Sequence, residues 1–177
     1  MKPQLIAFSG PMGVGKTTAA QYLVDNYGYT RMSFADPLRE MLRVLGLTDE
    51  DFSQEGKRRP HPALSGKTPR EALQTLGTEW GRNHIGPDIW CEAAIRRAYH
   101  AVQLGQCVVF DDCRFDNEAQ AVLRMCGVVI ELERPGVARA GVQHASEVGL
   151  PPESVSFHLF APDLSTLRSG LSELITR

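Results

Sequence analysis

Apolar positions change period several times along the chain, and each change marks an element. Leu5-Ile6-Ala7-Phe8 is an unbroken apolar run, so Gln4 to Ser9 predicts a short strand buried on both faces, and Gly15 to Asn26 predicts the helix that follows it. Tyr29 to Ala35 predicts a second strand. At Asp36-Pro37 the spacing becomes helical: Leu38, Met41, Leu42 and Leu45 share a face, Asp36 suits the N-cap, Pro37 the first helical position and Gly46 the stop. Residues 47–67 carry no period and are rich in Gly and Pro. A connection of that length reads as a functional flap or a mobile segment.

Thr68-Pro69-Arg70-Glu71 has the form of a capping box and predicts a helix running to Trp80 or Gly81. Another begins near Pro87, with Cys91, Ala94, Ile95, Ala98, Tyr99 and Val102 in one apolar stripe. Trp90 lies about 100° from the first residue of that stripe, which turns it away from the predicted core. Cys107 to Phe110 predicts a buried strand that ends in Asp111-Asp112. Helix Asn117 to Met125, strand Val128 to Leu132, a flexible run Arg134 to Glu153, strand Ser156 to Phe160 and helix Leu164 to Ile175 complete the pattern. Strands alternating with helices predict an α/β fold with a doubly wound parallel sheet covered on both faces.

Composition narrows the function classes. A chain of 177 residues fits one domain, with an inserted helical region over about 36–90 and a lid over about 134–153. The net charge of −2 offers no general attraction to a nucleic acid polymer or an anionic membrane. The N-terminus has no secretory pattern, and no run approaches the roughly 20 apolar residues of a membrane span. A cytoplasmic protein is expected. Cys91, Cys107, Cys113 and Cys126 show neither zinc nor disulfide spacing and are expected to be buried thiols; His61, His84, His100 and His158 form no ligand pattern.

Against this plain background one motif stands out. Gly10-x-x-x-x-Gly15-Lys16-Thr17 follows a buried strand and opens a helix, the context in which a glycine-rich loop cradles phosphates. Backbone N–H groups from Gly10, Gly13, Val14, Gly15 and Thr18 would face phosphate oxygens, Lys16 would supply a point charge, and Thr17 would ligate magnesium. ATP and Mg²⁺ are the expected cofactors. Asp111 and Asp112, at the tip of a neighbouring strand, supply the acidic element for the metal, or else cap the next helix. A GTPase would need an Asn-Lys-x-Asp element, which is absent, and the chain is short for an ATPase motor. A small kinase remains.

"SFADPLRE", "GKTPREALQTLGTEWGR", "DIW", "DDCRFDNEA" and "HASE", taken in this order, resemble the phage-type deoxynucleoside monophosphate kinases, a group of P-loop nucleotide kinases. The resemblance spans roughly residues 5–150. It implies a nucleoside-monophosphate-kinase-like fold with a helical acceptor-binding region and a short lid, and transfer of the γ-phosphate of ATP to a deoxynucleoside monophosphate.

Within that resemblance, Arg114 and Arg39 are candidates for gripping the acceptor phosphate, because a guanidinium fork matches phosphate geometry. Asp36 either accepts a hydrogen bond from a sugar hydroxyl or caps its helix. Arg82 lies near the acceptor, and Trp80 or Trp90 either stacks on the base or packs in the core, with core favoured for Trp80. Arg134 and Arg139 belong to the lid and would reach the transferring group on closure. His144 is a lid donor or a surface residue, and Glu147 shares its motif. Lys57, Arg58 and Arg59 read as a solvated loop ahead of a nucleotide clamp. Kinases of another small metabolite, of the dephospho-coenzyme A or phosphomevalonate type, and a nucleotide-dependent switch are the rival readings. Base range, sugar preference and a homodimer stay open.

Overall fold

The computed structural model describes residues 2–137 and 149–176. Its elements in chain order are β1 Leu5–Ser9, α1 Lys16–Tyr27, β2 Tyr29–Met32, α2 Asp36–Val44, α3 Pro69–Gln74 and α4 Ile89–Gln103. β3 Cys107–Phe110, α5 Asp116–Arg124, β4 Val128–Glu133, β5 Phe157–Phe160 and α6 Leu164–Thr176 follow. The chain divides into two compact units, residues 1–34 with 95–177, and residues 35–94.

The first unit is a doubly wound α/β fold. Its five strands are all parallel, in the order β2-β3-β1-β4-β5. β1 occupies the centre, with Ile6 opposite both Val109 and Val128, and all five of its residues are buried. Alternation along the strands sends Ile6, Phe8, Val109, Ile130 and Leu132 to one face. There they pack with Ala19, Ala20 and Leu23 of α1 and Leu167, Leu171 and Ile175 of α6. α5 covers β1 and β4, its Ala119 and Val122 fully buried. No helix among the described residues is long and apolar enough to cross a membrane.

β2 stops at Met32, three residues short of the predicted end, because Ser33 and Phe34 leave the ladder. The Ser33 hydroxyl donates to Asp112, and the Phe34 amide donates to Asp112 Oδ1 at 2.9 Å. The Phe34 ring stacks on Phe110 with centroids 4.2 Å apart. Not all the thiols are buried, either: Cys91 and Cys113 are, Cys107 is partly covered, and Cys126 is exposed in the turn after α5.

The second unit revises two expectations, the N-cap of α2 and the end of the helix begun at Thr68, and bears out the capping box. Ala35, not Asp36, is the N-cap of α2; Asp36 is already helical and its carboxylate pairs with Arg39 at 2.8 Å. The capping box at Thr68 forms, with Glu71 Oε2 accepting from the Thr68 amide and hydroxyl at 2.8 Å each and Thr68 Oγ1 accepting from the Glu71 amide at 3.2 Å. Those bonds hold the Glu71 carboxyl below its usual range. The helix they start does not end at Trp80 or Gly81. After Gln74 it widens into a π-helical stretch, Thr75–Ile85, closed by Gly86, whose amide donates to the Gly81 carbonyl at 2.9 Å. Residues 47–67 contain three short 3₁₀ turns, and Arg59 of the basic cluster pairs locally with Glu55 at 3.0 Å.

α4 starts in the second unit and ends in the first. Its buried residues are Trp90, Cys91, Ala94, Ala98 and Ala101, whereas Tyr99 is 49% exposed. The buried stripe is therefore rotated from the predicted one toward Trp90, since three alanines at its centre allow close packing that a tyrosine would prevent.

Leu171 lies fully buried where α6 meets the sheet. Leu171→Ala is expected to lower the unfolding free energy by about 3 kcal/mol, measured by urea denaturation; a loss below about 1 kcal/mol would contradict the packing described.

Candidate functional site

The end of β1 turns sharply into α1. Gly10, Gly13 and Gly15 have φ of 127°, 80° and 115°, a region that side chains disfavour. At Gly10 space forbids a side chain as well: a Cβ would lie 2.5 Å from the Leu132 carbonyl oxygen. Val14, between the glycines, is buried in the sheet's core and pins the loop from beneath. The loop opens onto the first turn of α1, formed by Lys16, Thr17 and Thr18, where a helix N-terminus turns its amides toward the loop. Lys16 is 9% exposed, and its ammonium donates to the carbonyls of Gly10 at 2.7 Å and Pro11 at 2.8 Å, so the charge is aimed into the curve of the loop.

At the tip of β3 the two aspartates have different surroundings. Asp111 Oδ2 accepts from the Thr17 hydroxyl at 3.0 Å, and Arg31 Nη1 lies 4.0 Å away. Asp112 instead holds the turn after β2, through Ser33 and the Phe34 amide. The predicted acidic pair is thus divided: Asp111 stands beside the loop's hydroxyl, and both oxygens of Asp112 accept from the turn after β2. Thr17 and Asp111 present hard oxygen donors of the kind magnesium prefers, and the residues present fit that ion.

Arg114 is exposed on the turn that leads from Asp112 into α5. That turn is fixed by Glu118, 3% exposed, whose Oε2 accepts from the Arg114 amide at 2.8 Å and the Phe115 amide at 3.1 Å. Glu118 and Arg31 were not among the residues picked out by sequence reasoning. Glu118 had a signal, its place in the stretch DDCRFDNEA that carries the resemblance; Arg31 had none, because its closeness to Asp111 depends on β2 lying beside β3. Arg134 is exposed just past β4. Arg139, His144 and Glu147, together with most of the predicted lid, lie outside the described residues.

The second unit brings together the remaining candidates. Asp36 and Arg39 form their ion pair on α2, and the Arg39 Nε is buried with no hydrogen-bond partner among the described residues. The tryptophans reverse the expected order. Trp90 is 4% exposed and donates its indole N–H to the Gly77 carbonyl at 2.8 Å, whereas Trp80 is 39% exposed, its ring centroid 5.9 Å from that of Trp90. The buried ring is therefore Trp90, and the ring presented to solvent is Trp80. Arg82 Nη1 donates to the same Gly77 carbonyl at 3.3 Å.

Comparison with known proteins finds no family model that matches. A protein of Acanthamoeba polyphaga mimivirus, provisionally named a deoxynucleotide monophosphate kinase, is 37% identical over 189 aligned residues, 97% of this chain and 94% of the viral one. A UMP-CMP kinase of Danio rerio is 43% identical over 54 residues, 30% of this chain and 26% of its own. An adenylate kinase of Methanosarcina barkeri is 39% identical over 64 residues, 34% of this chain and 30% of its own. Among solved structures, one from Chloroflexus aurantiacus, provisionally described as a kinase, matches 99% of this chain and 98% of its own with a TM-score of 0.53 and 15% identity. That likeness concerns the fold alone.

The division of the acidic pair has a measurable consequence for stability. Asp112→Ala leaves the Phe34 amide and the Ser33 hydroxyl without their acceptor and is expected to cost about 2 kcal/mol in urea denaturation. Asp111→Ala is expected to cost less than about 1 kcal/mol, its partners being at the surface. Equal losses would show that the two carboxylates are not divided in this way.

Proposed function

The chain belongs to the deoxynucleotide monophosphate kinase family, and from that premise we propose that it transfers the γ-phosphate of ATP to a deoxynucleoside monophosphate with the help of magnesium. The observation that carries this reading is the convergence of Lys16, Thr17 and Asp111 on one glycine-rich turn. A polyphosphate needs three things there: backbone N–H donors, a positive charge and hard oxygen ligands for a cation. The first turn of α1 offers amides and the positive end of the helix dipole. Lys16 exchanges the carbonyls of Gly10 and Pro11 for phosphate oxygens at little cost, because both sets are oxygen acceptors within its reach. Thr17 and Asp111 would hold the cation, which when bound would supply neutralising charge to the phosphate oxygens.

Transfer to a monophosphate brings a second anion against the first, so positive charge must be concentrated around both. Arg114 is assigned to the acceptor phosphate. Its backbone is fixed by buried Glu118, while its side chain stays exposed and able to reach a ligand. Arg39 is assigned to the acceptor phosphate as well; Asp36 pairs with it and positions the guanidinium. Trp80 is assigned to the base and Arg82 to the same acceptor subsite. Arg134 and Arg139 are assigned to the charge that develops on the transferring group, with His144 and Glu147 in the same segment. Asp112 and Trp90, given their structural bonds, are assigned positioning roles.

The reading is tested by ADP release from ATP and magnesium with dAMP, dGMP, dCMP, dTMP and their ribose counterparts added one at a time. Stimulation by at least one deoxynucleotide is expected. An ATP-binding protein that none of them stimulates would serve a different acceptor. Lys16→Ala is expected to reduce turnover by at least about a hundredfold with an unchanged circular dichroism spectrum, and near-normal turnover would remove the loop from the mechanism. Arg114→Ala is expected to lower kcat/KM for the monophosphate by about a hundredfold and to leave ATP affinity unchanged. An unaltered kcat/KM would return Arg114 to the surface.

A further inference from the structure

We infer that Trp90, Gly77 and Gly81 form a rigid mount that sets the position of Trp80 and Arg82, and through them determines which nucleobase of a monophosphate acceptor is accepted. The inference rests on the kinase reading above and names the part of the acceptor subsite that discriminates between bases.

The stretch Thr75–Ile85 is a run of eleven π-helical residues. Such helices are rare, occur mostly as single turns and concentrate at functional positions, since the wider turn makes weaker packing along its axis. Something outside the helix must hold this one open. Trp90 does so from the start of α4. Its indole N–H reaches the Gly77 carbonyl at 2.8 Å, and the Arg82 guanidinium reaches the same oxygen at 3.3 Å. One carbonyl thus ties the interior tryptophan to the arginine five residues further on.

Gly81 makes the fit possible. A Cβ there would lie 2.3 Å from Trp90 Nε1 and 2.5 Å from two of its ring carbons, so any side chain would push the indole out of its slot. On the other side of the turn, a Cβ at Gly77 would lie 3.4 Å from Leu38 Cδ1, so α2, the helix that carries Arg39, packs against the same turn through Leu38. Trp80 is the neighbour of Gly81 in sequence and leans on Trp90 at 5.9 Å between centroids, the residue remaining 39% exposed. Trp90 and the two glycines touch no ligand in this scheme. They fix the height and tilt of the ring that does.

Stacking on an aromatic face accepts every base, so a ring alone does not choose among them. A ring held at one height beside an arginine held at a fixed distance does choose, because purines and pyrimidines differ in how far their edges reach toward the guanidinium. Loosening the mount is accordingly expected to blur base preference, beyond simply weakening binding.

The chain contains two tryptophans, which gives the test an optical readout. Trp90→Phe keeps an aromatic ring in the slot, removes the N–H to Gly77 and leaves Trp80 as the sole tryptophan. Its emission is expected to be quenched by deoxynucleoside monophosphates, with an acceptor dissociation constant raised about tenfold over the unaltered protein. The ratio of kcat/KM between the best and worst bases should fall by a similar factor while KM for ATP stays the same. In Trp80→Phe the remaining emission, from buried Trp90, should not respond to the acceptor. Should Trp90→Phe fail to fold, Gly81→Ala, which keeps both tryptophans, is read for the same loss of base discrimination. Unchanged base ratios in a folded variant, or ATP and acceptor constants that rise together, would overturn the mount. Failure of the kinase reading itself looks different: the unaltered protein would show no turnover with any monophosphate and no quenching of Trp80, and both readings would fall together.

Discussion

The contact on which the first unit's site depends is between backbones. Gly10 passes so close to the Leu132 carbonyl that even a methyl group would not fit, and this approach seats the glycine-rich loop against β4. Seated there, the loop can turn through three positive φ angles and start α1 with Lys16 already directed inward. The contact in turn requires β1 and β4 to lie side by side in register, with Ser9 opposite Glu131. Central burial of β1 on both faces secures that register, because a slip of one residue would carry Ile6 and Phe8 out of the cluster they share with α1 and α6. The apolar run from Leu5 to Phe8 thus decides where Lys16, eleven positions beyond Leu5, is aimed.

Charged groups in this unit are positioned by carboxylates that hold backbone amides. Asp112 takes the Phe34 amide and Glu118 takes the amides of Arg114 and Phe115. A bond to an amide fixes the chain itself, whereas a bond between two long side chains fixes only their tips. Asp111 and Arg114, the groups assigned to ligands, are consequently carried on a short segment clamped at both ends. Their own side chains stay accessible. This arrangement separates the residues that hold from those that act within the eight-residue run from Asp111 to Glu118, and explains why adjacent aspartates have unlike roles.

The strands and most helices were legible in the sequence because they depend on local periods and caps. The buried apolar run of β1, the capping box at Thr68 and Glu71, and the parallel alternation of elements all follow from residues within a few positions of each other. What was not legible depends on neighbours distant in sequence. Strand β2 ends early because Asp112 draws Ser33 and Phe34 aside, 79 and 78 positions away in the chain. Asp36 was read as a cap from its type and its proline neighbour, yet a basic residue one turn on captured its carboxylate. The exposure of Trp80 could not be read from α-helical angles, since its helix widens from α to π after Gln74, and the burial of Trp90 depends on Gly77 and Gly81 of that preceding stretch.

That widening also explains why two glycines, Gly77 and Gly81, stand beside the tryptophans of the second unit. A π-turn leaves a gap along its axis, and a gap must be closed by something large or the turn collapses to the tighter helix. Here the indole of Trp90 closes it from outside, and Gly77 and Gly81 supply the room. The trade is between local propensity and tertiary contact. Two glycines weaken the stretch as a helix by roughly 1 kcal/mol each relative to alanine, and a single buried indole with a satisfied N–H offsets that loss through its area and its hydrogen bond. The geometry of Trp80 and Arg82 is therefore set by the packing of a ring that lies behind them, and sequence propensity alone would have placed both on a different face.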